Sequence, residues 1–246
     1  AAVEVATVWL LFGWTAVALP TGHALDSRAG TGIGLAVLAG LVLELADPGD
    51  PTAPLSLLGV GLFGAAGIQR ERVGWAYRTV GAAFALVGLL ALTTLDGRFG
   101  GFDHGASTTL GALAVGALAA VGWLKLDRDG AGFRWAATAL AAVAVGTGTA
   151  VAAPETVPNA VGVGIAHLCT LAAVAATGYY GYARGARQFV DLAAIAALAQ
   201  TLSFVATTVV DALSGAIALV VAGTILIVAG VALERGRRSI LSRVGT

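Results

Sequence analysis

Apolar residues run along this chain in blocks of 15 to 24, separated by short stretches where charge, glycine and proline collect. Nine blocks stand out: residues 5–19, 30–46, 54–68, 74–95, 107–124, 133–152, 159–182, 189–210 and 213–233. A hydrocarbon core about 30 Å thick is crossed by a helix of about 20 apolar residues. The pattern therefore predicts an all-α fold, a polytopic transmembrane helical bundle of about nine spans. It reads as a single transmembrane domain over residues 1–246. The third block is short for a crossing. The first resembles a secretory leader in apolarity, but its only early charge is Glu4. A leader has a positive amino-terminal region, so the block reads as a retained helix.

Composition supports a lipid solvent. Hydrophobic residues make up 58% of the chain and charged residues 11%, against about a quarter charged in soluble domains. So few charges cannot coat a water-facing surface. The formal net charge is zero, which argues against nucleic acid as a partner. Arginine outnumbers lysine thirteen to one and methionine is absent, as expected of a GC-rich prokaryotic genome. The one cysteine, Cys169, has no partner for an internal disulfide.

The charges set an orientation. With nine spans, thirteen basic residues fall on one side, from Arg28 through Arg70, Lys125 and Arg187 to the tail. The other side receives only Arg98, together with Asp47, Asp96, Glu155 and Asp211. Basic loops stay in the cytoplasm, so the N-terminus is expected outside and the C-terminus inside. A miscounted span would swap every later loop and spoil the asymmetry. Aromatic residues cluster beside the basic loops, among them Trp75, Tyr77, Trp135, Tyr179, Tyr180, Tyr182 and Phe189. They are expected to be anchors at the headgroup level.

Small residues recur at helical spacing: Ala112, Gly116 and Ala120; Gly162, Ala166 and Thr170; Ala216, Gly223 and Gly230. Small faces let helix backbones approach closely in lipid. They suit packing within one bundle, and also a homo-oligomer or a protein partner.

Ionisable groups deep in a bilayer are expensive and point to function. Three residues form the candidate intramembrane polar site: His167, Gln200 and Asp191. His167 lies about 12 Å from the outer end of its block. Gln200 stands at a similar distance from the shared turn near Gly185, so an antiparallel hairpin puts the two at one depth. His167 could accept a proton or touch a ligand, with Gln200 as its partner. The plainer alternative is an interhelical hydrogen bond. Asp191 sits about 5 Å in from the cytoplasmic end, with Arg184 and Arg187 near in sequence.

Other chemistry is thin. The topology scatters His23, His104 and His167, so no metal or haem shell is expected. Residues 96–105 carry carboxylates without the spacing of a calcium loop. Lys125 ends its block, so no lysine inside a late helix can form a retinal Schiff base. Phosphate-binding, zinc-protease and serine-hydrolase motifs are missing. Prolines fall in the expected loops rather than in paired helix breaks. No cofactor is expected, and the chain reads as no enzyme.

From Gly178 onward the sequence carries Gly178-Tyr-Tyr-Gly-Tyr-Ala-Arg184, then Arg187, and ends on Glu234-Arg-Gly-Arg-Arg238. Roughly a quarter of the chain thus resembles the C-terminal part of uncharacterised bacterial and archaeal multi-span membrane proteins, grouped as a domain of unknown function. The resemblance implies a multi-span membrane fold and no particular activity. The sequence reading is an integral membrane protein in the cell membrane, an accessory or structural component. Its competitor is a permease or channel for a small neutral or weakly polar solute.

Overall fold

The computed structural model of the chain describes residues 2–45, 52–94, 130–156, 159–206 and 216–244, and every element among them is helical. In chain order these are α1 (Ala2–Ala24), α2 (Arg28–Leu45), α3 (Thr52–Ala65), a short 3₁₀ turn (Ala66–Ile68), α4 (Glu71–Thr94), α5 (Gly130–Thr156), α6 (Asn159–Ala183), α7 (Arg187–Phe204) and α8 (Ala216–Val244). Eight of the nine apolar blocks coincide with a described helix. The fifth, residues 107–124, lies outside the described residues, as do His104 and the acidic stretch 96–105. By length and composition, two of the described helices can cross a membrane, over Glu71–Thr93 and Val161–Ala183. Pro54–Ile68 is apolar but shorter.

The chain divides into two compact units. Unit 1 is Ala1–Gly88 with Gly101–Ala136, and unit 2 is Leu89–Gly100 with Ala137–Thr246. Helices α4 and α5 contribute residues to both.

In unit 1, α1 and α2 form an antiparallel hairpin. Gly22 meets the backbone of Thr31, Gly34 lies under Leu19, and Gly40 under Leu11. The turn closes by the hydrogen bonds of a Schellman motif: the Ser27 amide donates to the Gly22 carbonyl at 2.9 Å and the Asp26 amide to His23 at 3.2 Å. Asp26 takes the left-handed position, φ 47°. Ser27 then caps α2, its Oγ accepting the Gly30 amide at 3.1 Å. The other hairpin, α3–α4, crosses at Gly59 and Gly81. A Cβ at either would come within 2.6 Å of the opposite backbone. Leu35, Ala39, Leu55, Leu58 and Leu62 make the buried core that joins these helices.

Unit 2 holds a second hairpin of the same design. The Ala186 amide donates to Gly181 at 2.8 Å, the Gly185 amide to Tyr182 at 3.3 Å, and Gly185 has φ 61°. Gly181 lets the first turn of α7 approach, with Val190 N only 2.8 Å from where a Cβ would stand.

Three expectations need correction. Pro20 lies inside α1, which runs four residues past it, rather than in a loop. Trp135, Tyr180 and Phe189 are buried rather than held at a surface. Each found a ring to pack on: Trp135 stacks on Phe63 at 3.8 Å, and Tyr180 meets Phe189 edge-on at 4.8 Å. Tyr179 and Tyr182 do face outward. The small faces also divide. Ala166 and Thr170 are buried in unit 2, whereas a Cβ at Gly223 or Gly230 meets nothing within 4 Å.

Candidate functional site

The buried face of α7 repeats at helical spacing through Phe189, Ala193, Ala196, Gln200 and Ser203. Three of these are small or apolar at the turn end, and the polar pair comes one turn apart near the far end. On α6 the matching face carries Ala166, His167, Thr170 and Thr177. Because the two helices are antiparallel and share a three-residue turn, His167 and Gln200 arrive side by side.

Gln200 Nε2 lies 2.5 Å from His167 Nδ1. Both residues are buried, at 2% and 6% exposure. In this orientation the amide donates to the Nδ1 lone pair, and the neutral imidazole carries its proton on Nε2. With the amide turned over, Oε1 accepts from a protonated Nδ1. Either way one end of the amide serves His167 and the other points elsewhere. The outer end, Oε1, is buried and has no hydrogen-bond partner among the described residues. A buried acceptor left so costs about 1–3 kcal/mol. The His167 ring also meets the Phe204 ring edge-on, centroids 5.3 Å apart.

Two further polar links lie beside this pair. Thr93 Oγ1 gives its proton to the Leu90 carbonyl at 2.7 Å, which leaves Ser203 as donor in the 2.8 Å bond between the two hydroxyls. Thr170 Oγ1 shares its proton between the carbonyls of Ala166 at 2.9 Å and Leu89 at 3.1 Å. Neither hydroxyl was picked out from the sequence as a partner of α4. An isolated Ser or Thr in an apolar block usually bonds its own helix, so the sequence carried no signal for it.

Asp191 is not part of this cluster. It sits nine residues before Gln200, about 13 Å along α7. Its carboxylate accepts from Arg237 Nε at 2.6 Å and lies 3.5 Å from Arg187 Nε. Arg187 was an expected partner, but Arg237 of α8 was not. That contact brings the start of α7 and the end of α8 together, so the basic turn at Arg187 and the basic tail share one end of unit 2. Glu234 joins the network through Arg238 Nε at 2.6 Å and Arg237 Nη1 at 3.3 Å. The Arg238 hydrogen bond holds the Glu234 carboxyl below its ordinary range, and the bond to Asp191 pushes the Arg237 guanidinium up.

In unit 1 a smaller polar link ties α1 to α4. His23 Nδ1 faces the Leu19 carbonyl at 2.7 Å. A carbonyl only accepts, so Nδ1 carries a proton, and the Tyr77 hydroxyl lies 3.3 Å from Nε2.

No group of three His, Cys, Asp or Glu side chains among the described residues could hold a metal ion. The arrangement can donate, accept and hold helices together. Comparison with protein families, curated proteins and solved structures found no match for this chain.

Proposed function

We propose that the chain is a multi-span membrane protein of about nine crossings, N-terminus outside and C-terminus cytoplasmic, that acts as an accessory or structural component and not as an enzyme. One observation carries the reading. Large apolar side chains face outward along the helices, while buried polar groups bond across helices. Trp9, Trp14, Val17, Leu168, Ile195 and Val228 are each more than 60% exposed. Such side chains favour contact with hydrocarbon over water. Residues 216–233 of α8 add a stretch without a single charge. The polar links then act as fasteners between helices, worth about 0.6 kcal/mol on average in a bilayer. A small residue such as Gly223 remains available to a protein partner or a second copy.

The second reading, a permease for a small neutral solute, draws on the outer end of the Gln200 amide. An unbonded acceptor in an apolar bundle suits a passing hydrogen-bond donor.

Reconstitution into lipid vesicles separates the two. The protein is expected to stay with membranes through alkaline carbonate washing. Its vesicles should pass water, urea and glycerol no faster than empty ones in stopped-flow light scattering. A flux that Gln200→Leu abolishes moves the conclusion to the permease. Loss of the protein to the carbonate supernatant ends both readings.

A further inference from the structure

The geometry points to a binding site for one acyl chain and the phosphate of an anionic phospholipid, in the groove between α7 and α8 at the basic end of unit 2. The inference rests on the membrane reading and names a ligand for it. The groove has a volume of about 440 Å³. Asp191, Ile195 and Leu198 line it from α7, and Gly230, Leu233 and Arg237 from α8. Each set spans eight residues on one helical face, about 10 Å of helix. Because the helices are antiparallel, Asp191 meets Arg237 at one end and Leu198 comes opposite Gly230 toward the other. The groove is therefore charged at its mouth and apolar along its length. Ile195 and Leu198 stay exposed along its wall, and Gly230 leaves its floor open.

The apolar wall at Ile195 and Leu198 and the open floor at Gly230 suit a hydrocarbon chain.

Charge selects the headgroup. Arg187, Arg237 and Arg238 form one network with Asp191 and Glu234, three positive charges to two negative. The carboxylates hold Arg187 and Arg238 by Nε. Those two side chains are 71% and 76% exposed, and the contacts at Nε leave the outer edge of each guanidinium to receive an anion. A guanidinium takes phosphate oxygens in pairs. A phosphate at the mouth also lies at the end of unit 2 where the orientation puts the cytoplasmic leaflet, the one that carries anionic lipid.

The test uses the full-length protein in mild detergent, titrated with phosphatidylglycerol or phosphatidylcholine, with thermal unfolding and native mass spectrometry as readouts. Phosphatidylglycerol is expected to raise the unfolding midpoint and to stay bound as one lipid per chain, while phosphatidylcholine does neither. Arg187→Gln with Arg238→Gln, each read against the variant's own lipid-free midpoint, should weaken the phosphatidylglycerol effect about thirtyfold, from the usual attraction of two arginines to anionic lipid. Gly230→Leu fills the groove without touching a charge and should abolish the bound lipid. Equal shifts from both lipids, an unchanged response in Gly230→Leu, or the same shift from inorganic phosphate alone would overturn the proposal. Carbonate-resistant protein without lipid selectivity sinks this inference and leaves the membrane reading standing. Protein in the carbonate supernatant removes both.

Discussion

The turn of the α1–α2 hairpin in unit 1 and that of the α6–α7 hairpin in unit 2 are closed by the same hydrogen bonds. Gly22 and Gly181 take the same place, His23 and Tyr182 follow, and Ala24 and Ala183 after them. Asp26 and Gly185 occupy the left-handed position, and Arg28 and Arg187 open the second helix. Counted from the glycines, 159 residues separate each pair. In this register Gln200 falls at the place of Leu41, His167 at that of Val8, and Asp191 at that of Gly32. The three candidate site residues are thus positions where the second hairpin departs from the first. The closure is an architectural device common to both. The polar pair and the ion network are additions made on one of them, and they are the places to look for what unit 2 does.

The largest effect should come from the shared glycine. A Cβ at Gly22 would stand 2.5 Å from the Thr31 nitrogen, and one at Gly181 would stand 2.8 Å from that of Val190. Both obstacles are backbone, so the helices must part. Overpacking of this kind costs about 1–3 kcal/mol. Gly22→Ala is expected at the top of that range and Gly181→Ala lower, read by denaturant unfolding in detergent. Losses in the reverse order would break the comparison, because they would mean that the first hairpin yields more easily than its contacts imply.

The left-handed position should respond with opposite signs. An L-residue there costs roughly 1–2 kcal/mol relative to the right-handed form, less for Asp than for most. Glycine returns about 0.4–1 kcal/mol of that through the freer unfolded chain. Asp26→Gly is therefore expected to stabilise unit 1 by about 0.5 kcal/mol, and Gly185→Ala to destabilise unit 2 by about 1 kcal/mol. Thermal unfolding of the two variants side by side checks it. A destabilised Asp26→Gly would show that the aspartate side chain, not the backbone, holds the first turn.

The comparison also explains what could be read in advance. The apolar blocks located the helices because block length and burial in lipid or protein follow the same composition. The hairpin depth of His167 and Gln200 followed from their distances to Gly185. Their faces did not, because a few degrees of helix rotation decide contact and no local pattern fixes it. Arg237 was missed as the partner of Asp191 because the pair is 46 residues apart, and a basic tail looks generic. Gly22, Gly59, Gly81 and Gly181, where backbones touch, were lost among 35 glycines. The faces chosen by spacing fared unevenly, since spacing marks a face and says nothing of what stands opposite.

The smallest expected effect is a pH response confined to unit 2. Gly32 gives the first hairpin nothing at the place of Asp191, whereas Asp191 and Glu234 both feed arginines in unit 2. The hydrogen bond from Arg238 is the main cause that holds the Glu234 carboxyl below 4.5, with Arg237 adding to it. A folded value below the unfolded one means that the bond's contribution is fully present above 4.5 and is lost as pH falls through the folded value. The carboxylate is open to water, so the bond is screened and the change is slight. Unfolding midpoints of the wild type and Glu234→Gln, followed from about pH 6 to about pH 3, should differ at the upper end and converge at the lower. Hydrogen exchange should show the α8 backbone around Glu234 loosening in acid while the α1–α2 turn is unchanged. A gap that persists in acid would mean that Glu234 supports α8 through packing rather than charge, and the network would then lose its standing as an electrostatic addition to the shared hairpin.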